Sequence, residues 1–412
     1  MPESTFSKMA TELIEMIAEY LDNQDLLSLR LSCRKSDAQT IRTVSERFFS
    51  PLQTSLLGPE IQKLEEISRG RFAKYIKRIR IQDDIETSEK MWSTGQRVFI
   101  EDRPSTMWTF DMMFNIELDK IGVRNLQNIL RTCQLRPVEL IISESHDRVG
   151  NLCPTSEACA TLAQHIFLDS NLAIASLSID TKPRSWLITA TASLIPEFQG
   201  RELGLSMLKE ARVRLNCNKS SIYWTEQLVL HAPMLEGLYL SSMCVGATCS
   251  FYKTKTPLHN MRLQSHKACF QLKNLHLDHT NASVASLLNL LSNSKDTLVS
   301  ITLAHVELHP LTEASNWTQL LQTIGKECLN LNQWQLDLYL QRHPYLSEVL
   351  GRSGVKFTGF GKTCLEKEDR DGLTILYKGD RDEKTIVFKY NGPGAARALY
   401  KMASYARLET KD

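Results

Sequence analysis

The patterning of this chain points to an α/β fold: an irregular solenoid of helix–turn–strand units, preceded by a short helical segment and closed by a hairpin and helix. Three observations carry that reading. One apolar spacing, at offsets 0, 3 and 5, recurs through the middle of the chain, with amphipathic helical stripes between its occurrences. Two helical stripes stand before it, and a paired strand pattern follows it. The composition agrees, since 412 residues at 42% hydrophobic and 23% charged belong to a globular protein able to bury a core.

The helical segment opens the chain. Leu13, Ile14, Ile17 and Leu21 fall on one helical face, with Glu12, Glu15 and Glu19 opposite. Asp22 and Asn23 break the pattern, and Asp25 is expected to cap a second helix carrying Leu26, Leu29 and Cys33. Arg30, Arg34 and Lys35 lie toward its C-terminal end, where positive charge suits the helix dipole. Two helices of about ten residues cannot form an independent core, so their apolar stripes must pack on the body of the protein or on another chain.

Glu12, Leu13, Ile17, Tyr20, Leu21, Asp25, Leu26, Leu27, Leu29, Arg30, Cys33 and Arg34 keep an ordered spacing over more than twenty residues. In that order they resemble the F-box pattern L-P-x-E-[IL]-x-x-x-I-x-x-Y-L followed by D-L-L-x-L-R-x-V-C-R. Met9-Ala10 stands where the family has Leu-Pro, and Ser32 where it has Val, so a proline that would preset the helix start is missing. The resemblance implies an F-box over residues 5–50 that docks on a Skp-type adaptor and, through it, on cullin and RING subunits. Met9, Leu13, Ile14, Ile17, Leu21, Leu26, Leu29 and Cys33 are the adaptor contacts it implies.

A helical linker over 51–75 leads to the array, placed at 76–350. The spacing appears at Ile76, Ile79 and Ile81; at Ile174, Leu177 and Ile179; at Leu235, Leu238 and Leu240; and at Leu272, Leu275 and Leu277. It returns at Leu298, Ile301 and Leu303 and at Leu331, Trp334 and Leu336, while Pro137 leads a further occurrence with Leu140 and Ile142. The last two positions alternate as a strand buried on one face requires. Helical stripes at Leu126, Ile129, Leu130 and Cys133, at Val284, Leu287, Leu288 and Leu291, and at Trp317, Leu320, Leu321 and Ile324 precede three of these strands. Starts at Leu235, Leu272, Leu298 and Leu331, spaced 37, 26 and 33 residues, suit irregular leucine-rich repeats. Two 61-residue gaps have room for degenerate units, Gly200, Leu203 and Leu205 being one candidate. An ordinary α/β domain of alternating helices and strands is the competing architecture, and the strands are parallel in both. With the helical segment, these units look like the F-box proteins with irregular leucine-rich repeats common in fungi.

The C-terminal cap is placed at 351–412. Leu373 to Tyr377 and Ile386 to Tyr390 bracket a charged turn as a hairpin does, and Asn391-Gly392-Pro393-Gly394 breaks the chain before a helix with Leu399, Met402 and Tyr405.

Charge and motifs exclude more than they assign. Forty-nine basic against forty-seven acidic residues leave a net charge of +2, too little to imply nucleic acid. Glu3, Lys8, Glu12, Glu15 and Glu19 interrupt any signal-like core, and ten cysteines without a C-x-x-C pair fit reduced thiols, so an intracellular protein, cytoplasmic and/or nuclear, is expected, with no membrane partner. Gly361-Lys362-Thr363 fails as a phosphate loop because Lys356 occupies the first glycine position. Gly392-Pro393-Gly394 fails as a dinucleotide fingerprint because Arg397 replaces its final small residue. Cys269, His276 and His279, with His266 nearby, lack paired ligands at finger spacing, so no metal and no cofactor are expected.

Residues between the buried positions should line one exposed, extended face. Arg80, Ser178, Asp180, Tyr239, His276, Asp278, Gln335 and Asp337 are the expected substrate contacts. Tyr239 and His276 lie centrally, and the aspartates favour a basic segment. The function implied is a substrate-recognition subunit of a ubiquitin ligase, without catalytic residues of its own. A leucine-rich-repeat scaffold outside any ligase, or an α/β enzyme with a site invisible in sequence, are the alternatives.

Overall fold

The computed structural model describes residues 9–56, 58–82, 121–132, 135–143, 159–160, 162–163, 165–166, 172–180, 205–215, 219–242, 270–309, 314–341, 355–357, 360–378 and 384–408. Its centre is one open sheet of eleven strands. In chain order the strands are β1 (Leu52–Thr54), β2 (Arg78–Gln82), β3 (Glu139–Ser143), β4 (Ser176–Asp180), β5 (Glu210–Leu215), β6 (Gly237–Ser242), β7 (Asn274–Asp278), β8 (Asn281–Ser283), β9 (Ser300–Ala304), β10 (Glu307–His309), β11 (Gln333–Gln341), β12 (Val355–Phe357), β13 (Leu373–Lys378), β14 (Lys384–Asn391) and β15 (Ala406–Leu408). The sheet runs β1-β2-β3-β4-β5-β6-β7-β9-β11-β14-β13 and is parallel until β14 and β13 join antiparallel. β8 with β10, and β12 with β15, make two small ribbons.

The apolar spacing accounts for this order. Its offset-3 residues are direct neighbours across the sheet, from Ile79 through Leu140 and Leu177 to Leu238, Leu275, Ile301 and Trp334. The offset-5 residues form a second ladder beside it, from Ile81 to Leu336. A one-residue slip would turn both ladders to the other face, which fixes the register. Helices α5 (Gly58–Arg69), α6 (Ile121–Thr132), α7 (Lys219–Leu230), α8 (Val284–Ser292), α9 (Ala314–Glu327) and α10 (Ala395–Ala403) cover these ladders. Leu64, Leu126, Leu287, Leu320 and Leu399 all enter the same core.

The fold is α/β, but the leucine-rich-repeat solenoid is overturned: the sheet is a single open layer that neither closes nor curls. The 0, 3, 5 spacing specifies a parallel strand with one buried face, which an ordinary α/β sheet satisfies equally well. A superhelix arises from a small rotation repeated in every unit, whereas the intervals here vary more than twofold. The C-terminal hairpin correspondingly extends the sheet, because β14 pairs along β11 instead of covering its end. The degenerate unit is also relocated. β5 follows Leu208 and buries Ala211 and Val213, while Gly200 and Leu203 lie outside the described residues. Across the other gap, β2 pairs directly with β3.

At the N-terminus, α1 (Thr11–Tyr20), α2 (Asn23–Ser32), α3 (Arg34–Gln39) and α4 (Ile41–Phe48) enclose a separate small core of Ala18, Leu26 and Val44. Arg47 donates to the carbonyls of Ala18, Glu19 and Leu21, satisfying the end of α1. Asp22, not Asp25, caps α2, its carboxylate accepting the Asp25 N–H at 2.8 Å. Asp37 accepts from Arg30 and Arg71, which hold its carboxyl below the usual range and tie this module to residue 71. The 51–75 stretch, expected as a helical linker, contributes both α5 and strand β1. Among the described residues, no helix is long and apolar enough to cross a membrane.

Candidate functional site

Forming the small N-terminal core leaves much of the apolar surface of α1 and α2 outside. Leu13, Met16, Ile17 and Tyr20 recur at one-turn spacing on α1 and are 48%, 54%, 37% and 88% exposed. Leu27 and Leu31 repeat the arrangement on α2. Scattered single apolar residues on a surface are ordinary; a stripe along one helix is the form taken by an interaction site.

The residues implied as adaptor contacts divide. Leu13 and Ile17 lie in this stripe, and Cys33 is exposed at the α2–α3 junction. Met9, Leu21 and Leu29 are half-buried, the last two against the small core. Ile14 and Leu26 are fully buried and support the surface without forming it. Met16, Tyr20, Leu27 and Leu31 were missing from the expected contacts, although their helical spacing is visible in the sequence.

Cys33 also caps α3, its sulfur accepting the Ser36 N–H at 3.3 Å. The Ser36 hydroxyl and amide hold its thiol below the ordinary value, whereas burial pushes Cys328 up to about 11. A lower pKa leaves more thiolate at neutral pH. Iodoacetamide at pH 7 should therefore label Cys33 rapidly and leave Cys328 unmodified in the folded protein. Peptide mass spectrometry checks this, and equal labelling would contradict the assignment.

A second surface lies on the sheet face opposite the helices. Strand pairing aligns Arg80, Ile141 and Ser178, and the same row continues through Arg212, Tyr239, His276, Thr302 and Gln335. The next row places Asp278 beside Ser241 and Ala304, with Asp337 across Ala304. The expected substrate residues thus share one face, all half-exposed except the buried Asp337. Tyr239 sits between the Arg212 guanidinium, 4.6 Å from its ring centre, and the His276 ring, 5.9 Å away. Burial holds the His276 imidazole below its usual range.

Arg212 and Arg214, both from β5, add positive charge beside the aspartates of this face. Arg214 pairs with Asp180 at 3.0 Å, and Arg212 pairs with Glu210. Asp337 is buried and accepts from Gln335 at 2.7 Å. Each of the three aspartates proposed to favour a basic segment already has a partner within the chain.

Asp278 has the densest set of partners. Its Oδ1 lies 2.7 Å from His279 Nδ1 and 3.5 Å from His305 Nδ1, and Oδ2 accepts from the Ser241 hydroxyl at 3.1 Å. Burial opposes ionisation, yet the hydrogen bonds from His279, His305 and Ser241 prevail and hold the carboxyl well below the usual carboxylate range. The two imidazole ring centres lie 4.5 Å apart, with the planes tilted by 40°. His279 and His305 both have positive φ, at 49° and 52°, a region histidine enters more readily than most residues.

No protein-family model and no curated protein matches this sequence. Of the residues weighed as metal ligands in the sequence, Cys269 and His266 lie outside the described residues, and His276 belongs with Tyr239. His305 was missed, yet a signal existed. It stands seven residues after Leu298, as His279 stands seven after Leu272, so histidine holds the same place in two successive units.

Proposed function

We propose that this chain is the substrate-recognition subunit of an SCF-type ubiquitin ligase. Its N-terminal helices would dock on a Skp-type adaptor linked to cullin and RING subunits, and the open face of the sheet would hold the protein substrate. The transfer chemistry then belongs to the partners, and this chain acts by raising the effective concentration of substrate beside them. An intracellular location, cytoplasmic and/or nuclear, follows from that role. The observation that carries the proposal is the exposed stripe of Leu13, Met16, Ile17 and Tyr20, which falls within the segment that resembles the F-box. A non-polar face on a helix supports burial against another protein.

The test is co-purification of the full chain with a Skp-type adaptor, alongside Leu13→Asp/Ile17→Asp. Both side chains are exposed, so the variant should keep its far-UV spectrum and melting temperature. Two unpaired charges buried at the contact should lower adaptor affinity about 100-fold or more. A folded wild-type chain that captures no adaptor, or a double variant that captures it equally well, would reject the proposal.

A further inference from the structure

We propose that Asp278, His279 and His305 form a binding site for one divalent transition-metal ion of the zinc type, with a coordination position left open to solvent. One donor atom from each residue lies within 4.8 Å of the other two. Tetrahedral zinc, with bonds of about 2.0–2.2 Å, needs its ligand atoms about 3.3 Å apart. The observed Asp278 separations of 2.7 and 3.5 Å bracket that value. The third separation, between the two histidine donors, is no more than 4.8 Å.

The donor chemistry selects the ion. Two imidazoles and one carboxylate suit zinc, nickel, copper or iron, whereas magnesium and calcium prefer oxygen ligands alone. Asp278 supplies a carboxylate oxygen, Oδ1, on the side of the two histidines. A neutral imidazole carries one nitrogen lone pair, and a metal takes the tautomer that places it on Nδ1.

The scaffold holds the donors in place. The His279 N–H donates to the Ala304 carbonyl at 2.9 Å, and the His305 N–H donates to the Asp337 carbonyl at 2.8 Å. Directly after these turns, the β8–β10 pairing joins Asn281 to Glu307 and Ser283 to His309. Both left-handed positions are thus fixed by backbone bonds on either side. Ser241, on the neighbouring strand, orients Asp278 through Oδ2 and leaves Oδ1 toward the histidines. His279 is exposed, giving the ion a route in and room for a fourth ligand.

The experiment treats the full chain with chelator, titrates it with Co2+, follows the visible absorption, and then displaces cobalt with Zn2+. The expected result is one equivalent of four-coordinate cobalt, displaced by zinc. His279→Asn and His305→Asn should each weaken binding at least tenfold, and the double variant should abolish the four-coordinate band. Asparagine tolerates positive φ, so these changes remove the imidazole and spare the backbone; circular dichroism confirms the fold. A variant-free measurement runs beside it: Zn2+ should protect His279 and His305 of the wild-type chain from diethyl pyrocarbonate. Absence of saturable uptake, equal cobalt affinity in a folded double variant, or no protection of the two histidines would each overturn the proposal and leave a cluster held only by hydrogen bonds.

Discussion

Replacing Trp334 by alanine should destabilise the C-terminal half of the sheet by about 3–5 kcal/mol, among the largest losses a single truncation produces. Trp334 lies on β11, flanked by Ile301 of β9 and Tyr390 of β14, so it occupies the junction between the parallel strands and the antiparallel pair. Its side chain is only 2% exposed. The ring stacks on Tyr390 with centres 5.9 Å apart, and Nε1–H donates to the Ala395 carbonyl at 2.9 Å, where α10 begins. Alanine would remove the stacking partner and the indole hydrogen bond, and leave a cavity that strand pairing on both sides prevents from collapsing. Trp334→Phe should recover most of the packing and lose the hydrogen bond, a cost of about 1 kcal/mol. Urea unfolding followed by far-UV circular dichroism reads both. A loss below about 1 kcal/mol for the alanine variant would mean that the junction repacks, and the stated role of Trp334 would fail.

Tight packing continues beside this residue. At Gly325 on α9, an added Cβ would lie 2.7 Å from the Ala396 carbonyl and 2.7 Å from the Tyr400 amide, both on α10. Backbone, not a movable side-chain end, limits the space. The absent side chain at that position is what lets α9 and α10 approach.

The same region shows what could be read from the sequence. Offsets 3 and 5 placed Ile79, Leu140, Leu275 and their counterparts on the buried face, and each stands there because strand period and burial are both local properties. The curl of the layer is not local. It depends on the spacing between neighbouring units and on what the helices cover, so the same residues fit a flat open sheet and a superhelix. β5 escaped notice because Ala211 and Val213 are small, and its loss hid Arg212 and Arg214, the two residues that neutralise the open face. Likewise, helical spacing identified the apolar positions of α1 and α2 but not which side turned outward. That choice is made by α4, whose Val44 completes the small core around Ala18 and Leu26. The metal cluster was divided in sequence by 26 residues, and only the parallel pairing of β7 with β9 brings its two turns together.

Replacing Leu26 by aspartate should unfold α1–α4 while leaving the sheet intact, and replacing the adjacent Leu27 by aspartate should unfold neither. Leu26 is fully buried in a core of three residues with Leu21, Leu29 and Phe72 around it; Leu27 is exposed. The residues packed around position 26 are apolar, and burying a carboxylate among them would cost several kcal/mol. So small a core has no other stabilisation of that size to offset it, and the module melts. The main core is a separate cluster, so the strands should retain their stability. Amide hydrogen exchange read by mass spectrometry separates the outcomes: Leu26→Asp should lose protection across residues 11–48 and keep it in β6, β7 and β9. Adaptor capture should vanish in Leu26→Asp through unfolding and fall in Leu27→Asp through a damaged surface alone. Native protection across α1–α4 in Leu26→Asp would show that the helices do not depend on this core. Loss of protection in the sheet as well would show that they are an integral part of the body, and docking on a separate adaptor would then require a surface other than theirs.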